Sequence, residues 1–181
     1  MNNSNHSNIL IIGGGCAGIS VATRLKSLKS DLTISIIEPS EKSLYQAAWT
    51  LVGAGAYDVN STIKPMSSVM PSFVNWIKEY AESFAPESNS VKTSSGEYSY
   101  DYLVVCPGLK LNFDGVAGLK ESLGKNNVCT NYSADMAVYT WESLKNLSGG
   151  NLLFTEPPMP IKCAGAPQKI AYLAADHLKK K

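Results

Sequence analysis

Ile9-Leu10-Ile11-Ile12-Gly13-Gly14-Gly15-Cys16-Ala17-Gly18 is the stretch whose reading decides the fold. A short apolar run from Asn8 to Ile12 that stops at glycines predicts a parallel strand buried on both faces. Beyond it, Val21, Ala22, Leu25 and Leu28 recur at helical spacing, so a helix is expected from Ala17 to about Leu28. The β-branched run Leu32-Thr33-Ile34-Ser35-Ile36-Ile37 then predicts a second strand. Strand, helix and strand in quick succession make a βαβ unit with a right-handed crossover. Gly13–Gly18 fits G-x-G-x-x-G between the first strand and the helix, and Glu38 follows the last glycine by about twenty positions at the end of the second strand. That context is the dinucleotide-binding fingerprint. Gly13 permits the tight turn, Gly15 lets backbone approach a pyrophosphate, and Gly18 allows close helix–strand packing. An anion on the helix N-terminus meets free N–H groups and a favourable dipole. The Glu38 carboxylate is placed to accept hydrogen bonds from ribose hydroxyls. Gly13, Gly15, Cys16, Ala17, Gly18 and Glu38 are therefore candidate cofactor-binding residues, with Cys16 read as a small packing residue rather than a reactive thiol.

FAD and NAD share this fingerprint, and its position in the chain separates them. It stands near the N-terminus and is followed by a small antiparallel β excursion. An apolar strand then ends in Val105-Cys106-Pro107-Gly108. That layout belongs to flavoproteins with two dinucleotide-binding domains, so FAD is the expected cofactor and Gly108 a candidate contact. Such proteins usually carry Ala-Thr-Gly at this second position. Cys106-Pro107-Gly108 departs from it but keeps the glycine, which makes Cys106 a structural strand end.

Composition limits the alternatives. The 181 residues carry 16 basic and 15 acidic side chains, a formal net charge of +1, which gives no footprint for nucleic acid. No run of apolar residues is long enough to span a membrane. Met1–Asn8 is a polar tail without the pattern of a secretory signal or a transit peptide. Cys16, Cys106, Cys129 and Cys163 are widely spaced, with no C-x-x-C and only two histidines, so neither zinc nor a disulfide framework is expected. With His6 in the tail and His177 near the end, a Ser/His/Asp hydrolase is dismissed.

The expected fold class is α/β: a Rossmann-like FAD-binding βαβ fold with a β excursion, in an incomplete two-dinucleotide-binding architecture. Residues 1–8 form the tail, 9–115 the FAD-binding domain, and 116–181 the truncated start of a second dinucleotide-binding-like domain. Within this frame Tyr45–Gly55 predicts a short helix and a loop, Phe73–Phe84 a strand, and Pro86–Ser90 a turn. Short β segments are expected at Val91 and Glu97, and a buried strand over Tyr102–Cys106. Ser133 is the expected N-cap of a helix with Ala134, Ala137, Val138, Trp141 and Leu144 on one face, ended by Ser148-Gly149-Gly150. Leu152–Thr155 predicts a strand. A final helix opens at Pro167, a residue favoured at the first helical position, and turns Ile170, Leu173 and Ala174 inward.

Lys162-Cys163-Ala164-Gly165-Ala166-Pro167-Gln168-Lys169 carries a second chemistry. Cys163 lies between the proline-rich Glu156–Pro160 and that helix. Helix N–H groups, the positive end of the dipole and two lysines are the surroundings that favour a thiolate. Lys162 and Lys169 attract an anionic substrate or are solvated surface lysines; both readings stand.

Glu38-Pro39-Ser40, Tyr45-Gln46, Trp49–Gly55 and Lys162–Ile170 resemble the sulfide:quinone oxidoreductases, peripheral membrane flavoproteins of the glutathione-reductase structural class. The resemblance runs through essentially the whole chain, and the tryptophan and cysteine segments are far more specific than the glycine motif. It implies FAD contacts from the Gly13–Gly18 turn, Glu38, Gln46 and backbone near Ala81. It also implies that Cys163 is one of two redox cysteines facing the flavin, and that Cys129 matches a third cysteine found in some branches. Cys129 is thus a catalytic candidate or a buried loop residue. Tyr45 and Trp49 are expected as pocket walls and core.

The resemblance further implies the reaction. Hydrosulfide attacks a sulfur bridge between Cys163 and its partner, and two electrons pass through FAD to quinone. Family members are substantially longer. The partner cysteine, a later Gly-Asp segment and the C-terminal helices that meet quinone and membrane are expected beyond Lys181. A peripheral location follows, on a bacterial cytoplasmic membrane as first choice and a mitochondrial inner membrane as second, with the oligomeric state left open. The competing readings are another flavin-dependent quinone reductase of type II NADH dehydrogenase kind, and a catalytically inert nucleotide-binding fragment.

Overall fold

The computed structural model describes residues 5–181, and the first four residues of the polar tail expected over 1–8 lie outside the described residues. Strand β1 runs from His6 to Ile12 and helix α1 from Cys16 to Leu28. The strand thus takes in His6, Ser7 and Asn8, which were expected in the tail. The cause is ladder pairing: His6 and Ser7 lie in register with Ser99 and Tyr100. Strands β2 (Ile34–Ile37) and β3 (Lys42–Leu44) follow, then a 3-10 turn at Gln46–Ala48 leading into α2 (Trp49–Gly53). Next come β4 (Ile63–Pro65), α3 (Met66–Val69), β5 (Val74–Ile77), β6 (Ser83–Ala85), β7 (Ser90–Lys92) and β8 (Glu97–Val105). The chain finishes with three helices, α4 (Leu119–Ser122), α5 (Ala134–Lys145) and α6 (Gly165–Lys180).

Six strands form one sheet in the order β5-β2-β1-β8-β7-β6, and β3 pairs with β4 in a second, two-stranded sheet. The four strands β5, β2, β1 and β8 are parallel, whereas β7 and β6 add antiparallel pairs. This is the expected α/β architecture with its β excursion. Alternation along β1 divides its side chains between two cores. Leu10 and Ile12 join Ile37, Ile77, Val91 and Tyr100 on one side. Ile9 and Ile11 join Ile34, Ile36 and Ala22 of α1 on the other, with Ile19, Val21 and Leu25 at its border. A strand buried on both faces needs an unbroken apolar run, which is what residues 9–12 supply.

Several elements differ from expectation. Leu28, the last residue of α1, is exposed rather than packed inward. The strand expected over 73–84 is two strands, because the chain bends after Ile77, where Glu79 N–H donates to the Ile77 carbonyl. Over 102–106 the strand is only partly buried: Tyr102 and Val105 are exposed, and the cores reach this stretch through Leu103 and Val104. Leu152–Thr155 forms no strand, and Leu153 is 87% exposed. A strand exists only with a ladder partner, and among the described residues no strand follows Val105. α5 ends at Lys145, ahead of the expected stop, and Val138 on its expected inner face is exposed. Ser133 does stand at its N-cap position, but without a side-chain capping bond. α6 opens at Gly165, so Pro167 is its third residue. It is tolerated there because first-turn N–H groups need no helical acceptor.

The chain divides into two compact units: residues through Leu44 with Lys64–Lys110, and Tyr45–Ile63 with Leu111–Lys181. The first holds the large sheet. In the second, Trp49 and Val52 of α2 are buried against Ala137 of α5. The Trp49 indole N–H donates to Thr62 Oγ1 at 3.0 Å, and the Thr62 hydroxyl donates to the Val59 carbonyl. This packing draws Tyr45–Ile63 out of the contiguous 9–115 segment expected from sequence.

Candidate functional site

The glycine turn is closed on its protein side. Gly13 has φ +99°, and a Cβ there would overlap the carbonyl oxygen of Cys106, so only glycine fits. Gly18 is buried, and a Cβ on it would overlap the Gly13 carbonyl and crowd Ile11. The Cys106 N–H donates to the Ile12 carbonyl at 2.7 Å, which holds the end of β8 against this turn. Cys106 is half-buried in that structural place.

The outer side of the turn is open. A Cβ built on Gly15 would meet no atom within 4 Å, and Gly15 is the N-cap of α1 with no side-chain capping bond. The first N–H groups of a 13-residue helix thus face an unobstructed approach. Cys16 and Ala17, at the start of α1, are exposed, so Cys16 is not the packing residue expected. Glu38 Oε2 accepts from the Gly14 N–H at 2.8 Å, and Oε1 accepts from the Ser40 N–H at 2.7 Å. The Trp76 indole donates to the Glu38 carbonyl at 2.8 Å. Each carboxylate oxygen keeps a lone pair for a further donor. Obligatory glycines beneath, open backbone above and an oriented carboxylate beside them are what the pyrophosphate and ribose of FAD require, so these residues fit the cofactor.

Gly14 was not singled out from the sequence, yet its Cα lies under the Glu38 side chain and a Cβ would overlap it. The third consecutive glycine was the available signal. Ala81 lies between β5 and β6, half-buried against the Leu10 core. Gly108 follows β8 with φ +74° and open space around it. His6 Nδ1 lies 3.0 Å from Ser99 Oγ, and Nε2 lies 3.4 Å from an Asp101 oxygen. The ground on which a hydrolase was dismissed therefore changes. These three are side chains on the exposed surface of neighbouring strands, brought together by register, and exposed pairs of this kind contribute little.

In the second unit Cys163 is exposed and immediately precedes Ala164, the N-cap of α6. Its carbonyl accepts two hydrogen bonds, from the Tyr132 hydroxyl at 3.1 Å and from the Ala166 N–H at 3.1 Å. The Gln46 amide reaches both the Tyr132 carbonyl, as donor from Nε2 at 3.2 Å, and Lys162, whose ammonium donates to Oε1. Burial first, and then electrostatic repulsion from the Cys163 and Glu156 side chains, holds the Tyr132 phenol above its usual pKa. Cys129 is half-buried, its thiol donating to the Asn127 carbonyl at 3.4 Å, and both Cys129 and Cys163 are free thiols. Lys169 is exposed on α6. Tyr45 is 60% exposed, whereas Trp49 is core as expected.

A βαβ sheet with a dinucleotide turn at the start of its first helix defines a nucleotide-binding protein of the Rossmann-like class. Residues 7–139 match the model of the pyridine nucleotide-disulphide oxidoreductases. The chain belongs to that family, whose members are FAD-binding flavoproteins and oxidoreductases. It is similar to the mitochondrial sulfide:quinone oxidoreductase of Dictyostelium discoideum, with 47% identity over 97% of the chain and 40% of the relative. The mouse mitochondrial sulfide:quinone oxidoreductase is 42% identical over 97% of the chain and 39% of the relative. The solved sulfide:quinone oxidoreductase of Aquifex aeolicus superposes with a TM-score of 0.73 at 28% identity, over 98% of this chain and 40% of that one. The chain thus spans about two fifths of the length of these relatives.

Proposed function

We propose that the chain is the flavin-binding and thiol-bearing part of an FAD-dependent sulfide:quinone oxidoreductase, oxidising sulfide through redox cysteines and passing two electrons to a quinone. The observation that carries this reading is identity of 42–47% to two sulfide:quinone oxidoreductases over 97% of the chain. The site supports it with an exposed thiol at the start of a long helix and a turn that fits FAD.

The Gly13–Gly18 turn and the first N–H groups of α1 hold the pyrophosphate, and Glu38 holds the adenosine ribose. Ala81, Gly108 and Gln46 are the further residues assigned to the cofactor. FAD, when bound, supplies a two-electron acceptor for sulfur and a donor to quinone. Cys163 is assigned as one half of a disulfide whose second sulfur comes from Cys129 or from a cysteine elsewhere in the protein. Hydrosulfide forms a bond to one sulfur, the S–S bond breaks, and its electron pair leaves on the other sulfur as thiolate. The attacked cysteine then carries a persulfide, and the hydrosulfide proton passes to solvent. The ammonium groups of Lys162 and Lys169 raise the local concentration of the anion. No helix among the described residues is long and apolar enough to cross a membrane. The names of the mouse and Dictyostelium relatives support a mitochondrial membrane surface in place of the bacterial one expected above.

The test is sulfide-dependent reduction of a short-chain ubiquinone by the purified full-length protein. Cys163→Ser should lower the rate at least about a thousandfold with FAD content unchanged. Quinone reduction driven by NADH and indifferent to Cys163→Ser would make the protein a type II NADH dehydrogenase instead. This chain purified by itself should be yellow, and a colourless chain that takes up no added FAD would make it an inert nucleotide-binding fragment.

A further inference from the structure

Residues 151–160 are all exposed and in no helix or strand, so the chain arrives at Cys163 with little to hold it. Two contacts from distant sequence take over. The Tyr132 hydroxyl donates to the Cys163 carbonyl, and the Lys162 ammonium donates to Gln46, whose amide in turn donates to the Tyr132 carbonyl. Gln46 itself stands one turn ahead of the buried, hydrogen-bonded Trp49. We propose that Tyr132 and Gln46 are positioning residues for the reactive thiol: together they clamp the Lys162–Cys163 dipeptide and fix where the sulfur and the ammonium are presented.

The chemistry of the parts suits that task. The Cys163 carbonyl has two lone pairs and uses both, one on the first turn of α6 and one on Tyr132. The side chain therefore leaves the backbone with one orientation relative to the helix start. Gln46 uses both ends of its amide, the NH2 on the Tyr132 carbonyl and the oxygen on Lys162, and so links the two. The Tyr132 phenol stays protonated, and so stays a donor, at any working pH near neutrality. Positioning of a reacting sulfur acts on the chemical step rather than on ground-state binding, because the same cysteine is present either way.

This inference rests on the assignment of Cys163 as the reactive thiol, and one part of its test does not. Tyr132→Phe keeps the ring and removes the donor, and Gln46→Leu removes both amide bonds. Amide hydrogen exchange of the full chain should speed up about fivefold to tenfold in the peptide carrying Ala166 in each variant. Tyr172→Phe, on the exposed side of α6, should leave it unchanged. In sulfide:quinone turnover normalised to bound FAD, since Gln46 is also assigned to the cofactor, each variant should lower kcat about tenfold with KM within about twofold. The double variant should lose no more than the worse single one, since the two act as a unit. Unchanged exchange in both variants overturns the clamp. Faster exchange with unaltered kcat, or a loss confined to KM, overturns its positioning role. A wild-type protein with no sulfide activity overturns the assigned reaction, and the exchange measurement still decides the clamp.

Discussion

At the scale of single residues, the turn depends on close approaches that admit no side chain. Gly18→Ala places a methyl on the Gly13 carbonyl, which is backbone and has nowhere to move. It should destabilise the chain by about 1–3 kcal/mol in urea unfolding and abolish FAD uptake. Glu38→Gln replaces an oxygen that accepts an N–H with a group that cannot, costing one backbone bond and one ribose acceptor. FAD affinity, measured by fluorescence quenching, should fall about tenfold or more. Tyr132 gives a pH signature. Its raised pKa in the folded state means that its contribution is complete below the unfolded value of about 10 and is lost as pH rises through the folded one. The stability gap between wild type and Tyr132→Phe should therefore hold constant to about pH 10 and close above it. Gly13, Gly15, Gly18 and Glu38 were legible because the fingerprint is local: six consecutive residues and one carboxylate at a set distance. Tyr132 was not, because its role comes from residues 31 positions later and 86 earlier, which no local pattern encodes.

At the scale of elements, the apolar run of β1 and the β-branched run of β2 were readable because every side chain in them is buried or nearly so. The span 73–84 misled because its apolar residues belong to two strands separated by a bend. That bend is held by Glu79, whose carboxylate accepts hydrogen bonds from the Ser95 hydroxyl and, at 3.2 Å, from the Ser95 N–H. Hydrogen bonds from Ser95 and then Thr93 hold Glu79 below its ordinary value of 4.5. That contribution is present above the unfolded pKa and lost as pH falls through the folded one. Glu79→Gln should accordingly flatten the dependence of stability on pH between about 5 and 3, with little effect on activity at neutral pH. In the second unit, Trp49→Phe removes the donor to Thr62 and should cost about 1–2 kcal/mol in thermal or urea unfolding. The strand expected at Leu152–Thr155 shows the limit of apolar patterning. β-propensity says that a segment suits a sheet, while the ladder itself has to come from other parts of the chain.

At the scale of the whole molecule, two compact units replace the two consecutive segments read from the sequence. Composition and motif order gave the class, but the assignment of Tyr45–Ile63 to the later unit depends on Trp49 and Val52 packing against Ala137. Such a partnership is invisible until the fold is known. At this scale stands the proposal that sulfide electrons reach FAD through the thiol of Cys163. Anaerobic titration of the FAD-bound full-length protein with sulfide, followed at the flavin absorbance band, tests it most directly. The wild type should bleach with stoichiometric sulfide, Cys163→Ser should not, and NADH should bleach neither. Bleaching of Cys163→Ser by sulfide at the wild-type rate would contradict the account.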